Sequence, residues 1–428
     1  MKIQLNGKSD TRLISPQWTG ILGILTGLVY FFSNPHPQNF YDYTFRVADN
    51  LLHGGIGFLV KPPTWLNEFV PFDGFYYSVF PLGSVLSMLP FALLRELGMI
   101  ADMPGAFIAA LLAGVSCFFL LKISNRYDLA PNKKILLSLA IIFGTWMWTN
   151  LTFDGAWQLA LGFAMVGELG AIYFTVFDRR PLIAGAFFAL AFGNRTEILL
   201  TAPVLIYLLN RSDADLSNAA AEKNAVTSVP GSDAERPISK IAFRSIVSFC
   251  LVPFILGVST LIYNYLRFNS FTDFGYARIP GVLDEPWYDH GIFSIYYIPR
   301  QAWEMLWKMW KFKDAFPYFV PDGFSASILW SSPFLLFLLR FGSREKSLKY
   351  AAWAATIILT FLLWIHGNSG GWQFGYRYAM VLLPWIFLIL LENSPKKITP
   401  LEWAAYIFSF AMNIYATWLF HWTEYMKP

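Results

Sequence analysis

Charge is scarce in this chain. Only 14% of its 428 residues are Asp, Glu, Lys or Arg, against roughly 25% in a soluble globular domain. Cysteine is scarcer still, with two residues, Cys117 and Cys250, both inside apolar runs. That excludes a disulfide framework and a thiol metal site. There is no P-loop, HExxH or CxxC pattern, so ATP coupling, zinc-protease and dithiol chemistry have no footing. The net charge of +4 is too small to suggest nucleic acid as a partner. A cleavable signal peptide is not expected, because the run from Trp18 to Phe32 lacks a small-residue cleavage site.

What is present is apolar. Hydrophobic residues make up 56% of the chain and aromatics 18%, and mean hydropathy is +0.45. The apolar residues fall in repeated runs near the ~20 residues that cross ~30 Å of hydrocarbon. The class is therefore all-α, a polytopic membrane helical bundle, since β-barrel strands alternate instead. Eleven spans are expected, at 17–33, 104–123, 135–150, 157–177, 181–194, 198–210, 244–265, 324–341, 350–366, 379–392 and 401–421. The fifth and sixth are short, and Asn194, Arg195 and Glu197 interrupt them.

The apolar segment 78–97 is read as a helix lying on the surface, broken by Pro81 and Pro90. With that reading, 20 of the 32 Lys and Arg residues fall on the inner side, as the positive-inside rule requires. The protein is then a multi-pass component of the plasma (inner) membrane, with a cytoplasmic N-terminus. Large outer loops cover 34–103 and 266–323. Residues 211–241 read as a cytoplasmic linker with no site. Two parts follow: 1–265, carrying the first loop and the linker, and 266–428. In the second loop, Trp303, Trp307 and Trp310 with Lys308, Lys311 and Lys313 suggest an amphipathic helix in the interface.

Four polar clusters are candidates for chemistry. Asp42 and Asp49, seven apart, share a helix face just after the first span. Such carboxylates suit a general base or a divalent cation, and equally a solvated face. In the same loop, Asp73, Gly74 and the aromatics Phe75, Tyr76 and Tyr77 form a turn that could stack on a sugar or anchor at the interface. The short turn WTNLTFDGAWQ at 148–158 carries Asp154 and Gln158. Glu168 lies mid-span, where an ionisable group costs at least ~2.5 kcal/mol and serves a site or a buried pair. In FGNRTE, 192–197, Arg195 could fork onto a phosphate or pair with Glu197. In HGNSGGWQFGYRYAMVLLPW, 366–385, Gly370 and Gly371 allow close approach. Trp372, Phe374 and Tyr376 supply ring faces, and Arg377 supplies the cation. The expected topology puts all four clusters on the outer face.

The chain resembles the GT-C superfamily of integral-membrane glycosyltransferases, in the bacterial branch related to dolichyl-phosphate-mannose–protein mannosyltransferases and the aminoarabinose transferase. The likeness is carried by YDYTFRVADNLLHG (41–54), FDGFYYSVFPLGSVLSMLP (72–90), NRTEILLTAP (194–203), YNYLRFNSFTDFGY (263–276) and GGWQFGYRYAMVLLP (370–384). It implies inverting transfer from a polyprenyl-phosphate sugar to a glycan, lipid or protein acceptor at the outer membrane face. Asp42 matches the family's base by position, although Tyr43 follows it where the family has Asp-Glu; Asp49 is the alternative. Asp154 and Gln158 match the polar second turn, and Arg377 and Arg195 would hold the lipid phosphate. No cofactor is required, and a divalent cation (Mg or Mn) on Asp42 and Asp154 could assist. A transporter or flippase of lipid-linked sugars, without transfer chemistry, is the reading from a different class.

Overall fold

The computed structural model describes residues 13–37, 41–211 and 238–426. The fold is mostly helical with little strand. In chain order the helices are α1 (Pro16–Ser33), α2 (Tyr43–Leu52), α3 (Leu82–Glu96), α4 (Gly105–Ser124), α5 (Pro131–Phe143), α6 (Met147–Leu151), α7 (Ala156–Ile172), α8 (Pro181–Asn194), α9 (202–211), α10 (Ile238–Phe268), α11 (Ile298–Leu306), α12 (Ile328–Ser331), α13 (Lys346–Ile365), α14 (Leu383–Asn393) and α15 (Pro400–Trp422). Prolines open α1, α5, α8 and α15, where the missing N–H would have had no partner anyway. Thr399 and Glu402 form a reciprocal capping box at the start of α15.

Among the described residues, four helical stretches combine the length and apolarity of a membrane crossing: Gly105–Ser124, Ala156–Phe177, Phe243–Phe268 and Lys346–Ile365. The eleven expected spans therefore reduce to four on these criteria. The other runs are helical but short, broken or too polar. The run 135–150 divides into α5 and α6 at Gly144. The run 324–341 is one turn of α12 followed by a 3₁₀ segment, Pro333–Leu339. The runs 198–210 and 379–392 both open in 3₁₀ turns, Thr196–Thr201 and Arg377–Leu382. The tighter 3₁₀ winding follows Arg195 and Tyr376, whose backbones are extended.

The segment 78–97 forms α3, with Pro90 inside it. The Trp303–Lys313 stretch differs from expectation. Helix α11 stops at Leu306, and the chain turns into a two-residue strand, β3 (Lys311–Phe312), paired with β4 (Phe319–Val320). Trp303 and Trp307 stay exposed, whereas Trp310 is buried and stacks on Phe319.

One apolar core runs from Ile14 to Met426 and draws on both parts of the chain. The contact between α3 and α8 positions the loop that follows α8. Gly83 meets Gly193 there so closely that a Cβ on Gly83 would sit 2.4 Å from the Gly193 Cα. We expect Gly83→Val to lower stability by about 1–3 kcal/mol, the cost of overpacking, as a drop in the thermal unfolding midpoint in detergent.

Candidate functional site

The site is built around the first turn of α7. The chain leaves α6, passes Asp154 in a left-handed conformation (φ 53°) and enters α7 at Ala156. The Ala156 N–H donates to the Tyr41 carbonyl at 2.9 Å, which stitches the loop after α1 to this turn. Gly105, the first residue of α4, makes room for the acid. A Cβ there would lie 2.9 Å from the Asp154 carboxylate carbon. Asp154 is fully buried, and neither of its carboxylate oxygens has a hydrogen-bond partner, nor has Oε1 of Gln158 one turn on. Burial pushes the Asp154 carboxyl up to about 8.

Asp42 precedes α2, next to Tyr41. Its carboxylate accepts a hydrogen bond from Arg46 Nε at 2.6 Å. Burial raises its pKa despite that partner, and Asp102 adds to the rise.

The other face of the site is cationic and aromatic. Glu68 lies just before the hairpin of β1 (Phe69–Phe72) and β2 (Phe75–Ser78), and both its oxygens accept from Trp157 Nε1, at 2.9 and 2.7 Å. Burial pushes Glu68 up to about 7, while the Trp157 bond and the Arg377 charge oppose the rise. The Trp157 ring packs against Tyr41, with centroids 4.9 Å apart. The Arg377 guanidinium sits 5.7 Å from the centroid of that same ring and 5.2 Å from the Tyr378 ring. Arg377 is 8% exposed, its Nε has no acceptor, and it forms no ion pair with a described carboxylate. Glu68 is close enough to feel its charge, but a buried guanidinium without a direct ion pair is expensive, and an anionic ligand is the natural relief.

Arg195 stacks on Tyr378 at 4.6 Å and pairs with Glu197 at 2.6 Å. Burial works against its charge, but Glu197 and then Tyr378 outweigh that and raise its pKa. His366, at the end of α13, contacts Tyr378, Tyr276 and Tyr288 edge-on. Burial lowers the pKa of His366, with its bond to the Asn368 carbonyl opposing, so the ring is neutral at pH 7. The Tyr276 and Tyr288 hydroxyls bond each other at 2.8 Å.

Of the residues expected from sequence, Arg377, Arg195 and Glu197 meet around the Tyr378 ring, while Asp42, Asp154 and Gln158 lie by the Tyr41–Ala156 junction. Others lie elsewhere. Asp49 pairs with Arg95 at 3.2 Å, fastening α2 to α3. Asp73 occupies the tip of the β1–β2 hairpin with φ 49°, a turn geometry that a short Asp-Gly pair favours. Tyr77 packs on Phe268 in a second, smaller apolar cluster. Tyr376 is wholly buried and donates to Gln301 Oε1. Trp372 packs against Gly323 and Phe420, although its carbonyl lies 3.5 Å from Arg377 Nη1. Glu168 binds Trp385 Nε1 at 2.9 Å within the bundle. The linker at 211–241 falls almost wholly outside the described residues.

Glu68, Trp157, Tyr378, His366 and Tyr276 were not singled out from sequence. A pair such as Glu68 and Trp157, 89 positions apart, leaves no local signal. A metal ion on Asp42 and Asp154 would need further ligands. Among the described residues no group of three or more His, Cys, Asp or Glu side chains is placed to hold one, so no step is derived through a metal.

No family model, curated protein or solved structure matches this chain.

Proposed function

We propose that this chain is a membrane glycosyltransferase of GT-C type, moving a sugar from a polyprenyl-phosphate donor to an acceptor hydroxyl at the outer face of the plasma membrane. The observation that carries the reading is Arg377, a buried guanidinium in no ion pair with a described carboxylate, held against Trp157 near Glu68, an acid of raised proton affinity. In this reading Arg377 binds the donor phosphate. The acceptor oxygen attacks the anomeric carbon from the opposite side, and the bond to the phosphate oxygen breaks with inversion. Asp42 takes the acceptor proton, and the lipid phosphate leaves with its charge against Arg377, where negative charge grows. Asp154, protonated at neutral pH, donates a hydrogen bond to a sugar or acceptor oxygen. The Trp157 and Tyr378 rings give the sugar apolar faces.

The test offers the purified full chain a panel of polyprenyl-phosphate sugars with lipid, glycan and peptide acceptors, read by mass spectrometry. A new glycosidic product supports the proposal. Translocation of labelled lipid-linked sugar across vesicles with no product overturns it in favour of a flippase. Arg377→Met should cut turnover by about 10²–10³-fold, the usual cost of removing a group that stabilises developing charge. Arg377→Lys should recover part of that, because a point charge lacks the planar fork.

A further inference from the structure

Helix α13 places His366 at the site, so its first residue, Lys346, lies one helix length away, about 30 Å for 20 residues. At that far end an open groove of about 490 Å³ runs between α9 and α13. Pro203, Val204 and Tyr207 form one wall, and Ser347, Tyr350, Ala351 and Ala354 the other, with Lys346 at the mouth. The spacing is i, i+1, i+4 on α9 and i, i+3, i+4, i+7 on α13, so each presents one face to the groove. The lining is apolar apart from the lysine, the serine and the two tyrosine hydroxyls. Tyr207 is 51% exposed and Tyr350 65%.

The surrounding charge is lopsided. Arg340, Arg344, Lys346 and Lys349 fall within ten residues that hold one acid, Glu345. Glu345 is engaged by Arg211 at the end of α9. Glu402 is taken by Lys133 and Arg340. Glu392 accepts from Ser343 and from the Arg344 and Glu345 N–H groups. Arg344 and Lys349 donate to backbone carbonyls, which satisfies their hydrogens without an ion pair, and the Glu392 carboxylate offsets only part of the group's positive charge. Lys346 makes no hydrogen bond or ion pair with a described residue.

We propose that this groove is a binding site for an anionic glycerophospholipid. One acyl chain lies between α9 and α13, the phosphate sits on Lys346 within the surplus positive field, and Tyr207 and Tyr350 flank the glycerol region as interfacial rings do. The proposal is independent of the glycosyl-transfer reading.

The test is thermal unfolding of the purified full chain in neutral detergent, followed by tryptophan fluorescence, with phosphatidylglycerol, phosphatidylcholine or inorganic phosphate added. Phosphatidylglycerol should raise the midpoint by about 3 °C or more, as a ligand specific to the folded state does, and the other two should not. Lys346→Glu, and separately Ala354→Trp, which fills the groove, should remove the response. Lys397→Glu, an exposed charge outside the groove, should keep it. Equal responses to the two lipids, or a full response in both groove variants, overturn the proposal. A groove already filled by residues 212–237 or by a second copy of the chain would leave phosphatidylglycerol without effect, which also overturns it. A response to inorganic phosphate alone would mean a simple anion site and overturn the lipid assignment.

Discussion

Asp42→Asn should reduce transfer by about 10²–10⁴-fold, the range for loss of a positioned general base, while the protein stays folded. The fold survives because the Asp42–Arg46 contact is an i, i+4 pair whose arginine is about half exposed, of a kind worth about 0.3–0.5 kcal/mol, and because Asn still accepts a hydrogen bond. The loss should fall on kcat with KM little changed, since the amide keeps the shape and loses only the proton acceptor. Burial raises the Asp42 pKa. Under the proposed mechanism, activity of the unaltered protein should therefore rise with pH along a limb displaced upward from the ordinary carboxylate range. An Asn variant with full turnover would remove Asp42 from the mechanism.

Asp154→Asn should make the protein more stable, in a manner that depends on pH. Burial moves this carboxyl from an ordinary 3.8 to about 8. Below pH ~4 it is protonated in folded and unfolded chains alike, and its charge costs nothing. Between pH ~4 and ~8 the unfolded chain releases the proton while the folded one keeps it, so stability falls as pH rises. Above pH ~8 the folded chain must hold a buried charge, and the loss levels off. A rise of this size corresponds to on the order of 5 kcal/mol. The Asn variant lacks that dependence. Its advantage in unfolding midpoint should be near zero at pH 4 and grow towards pH 8. A constant difference across that range would mean the carboxyl is not held neutral by the fold. Under the proposed mechanism the stabilised variant also transfers more slowly, the trade expected where a binding group is held in an unfavourable setting.

The helical character was legible because apolar runs leave little choice of structure. The breaks were less legible. Nothing local to PWIFLIL marks that the run before it winds as 3₁₀ from Arg377 to Leu382. That turn decides which rings serve the site: Tyr378 reaches Arg377 and Arg195, while Tyr376, two residues earlier, points into the core towards Gln301. Arg377 and Asp154 stood out because ionisable groups are few. Glu68 did not, since KPPTWLNEF reads as ordinary loop, and its importance depends on an indole contributed by another helix. Asp49 looked equivalent to Asp42 at helical spacing; the structure pairs Asp42 with Arg46 of α2 and Asp49 with Arg95 of α3.

Helix α13 joins the two ends of the protein as a single rod, with His366 among the tyrosines at one tip and Lys346 at the other. Bilayers of different thickness are met by tilting such rods. Over its length of about 30 Å, a tilt of about 4° about one tip displaces the other by about 2 Å. A shift of that size exceeds the tolerance within which reacting groups must be held. The thickness of the surrounding bilayer thereby becomes a variable that reaches the aromatic wall without any molecule entering it.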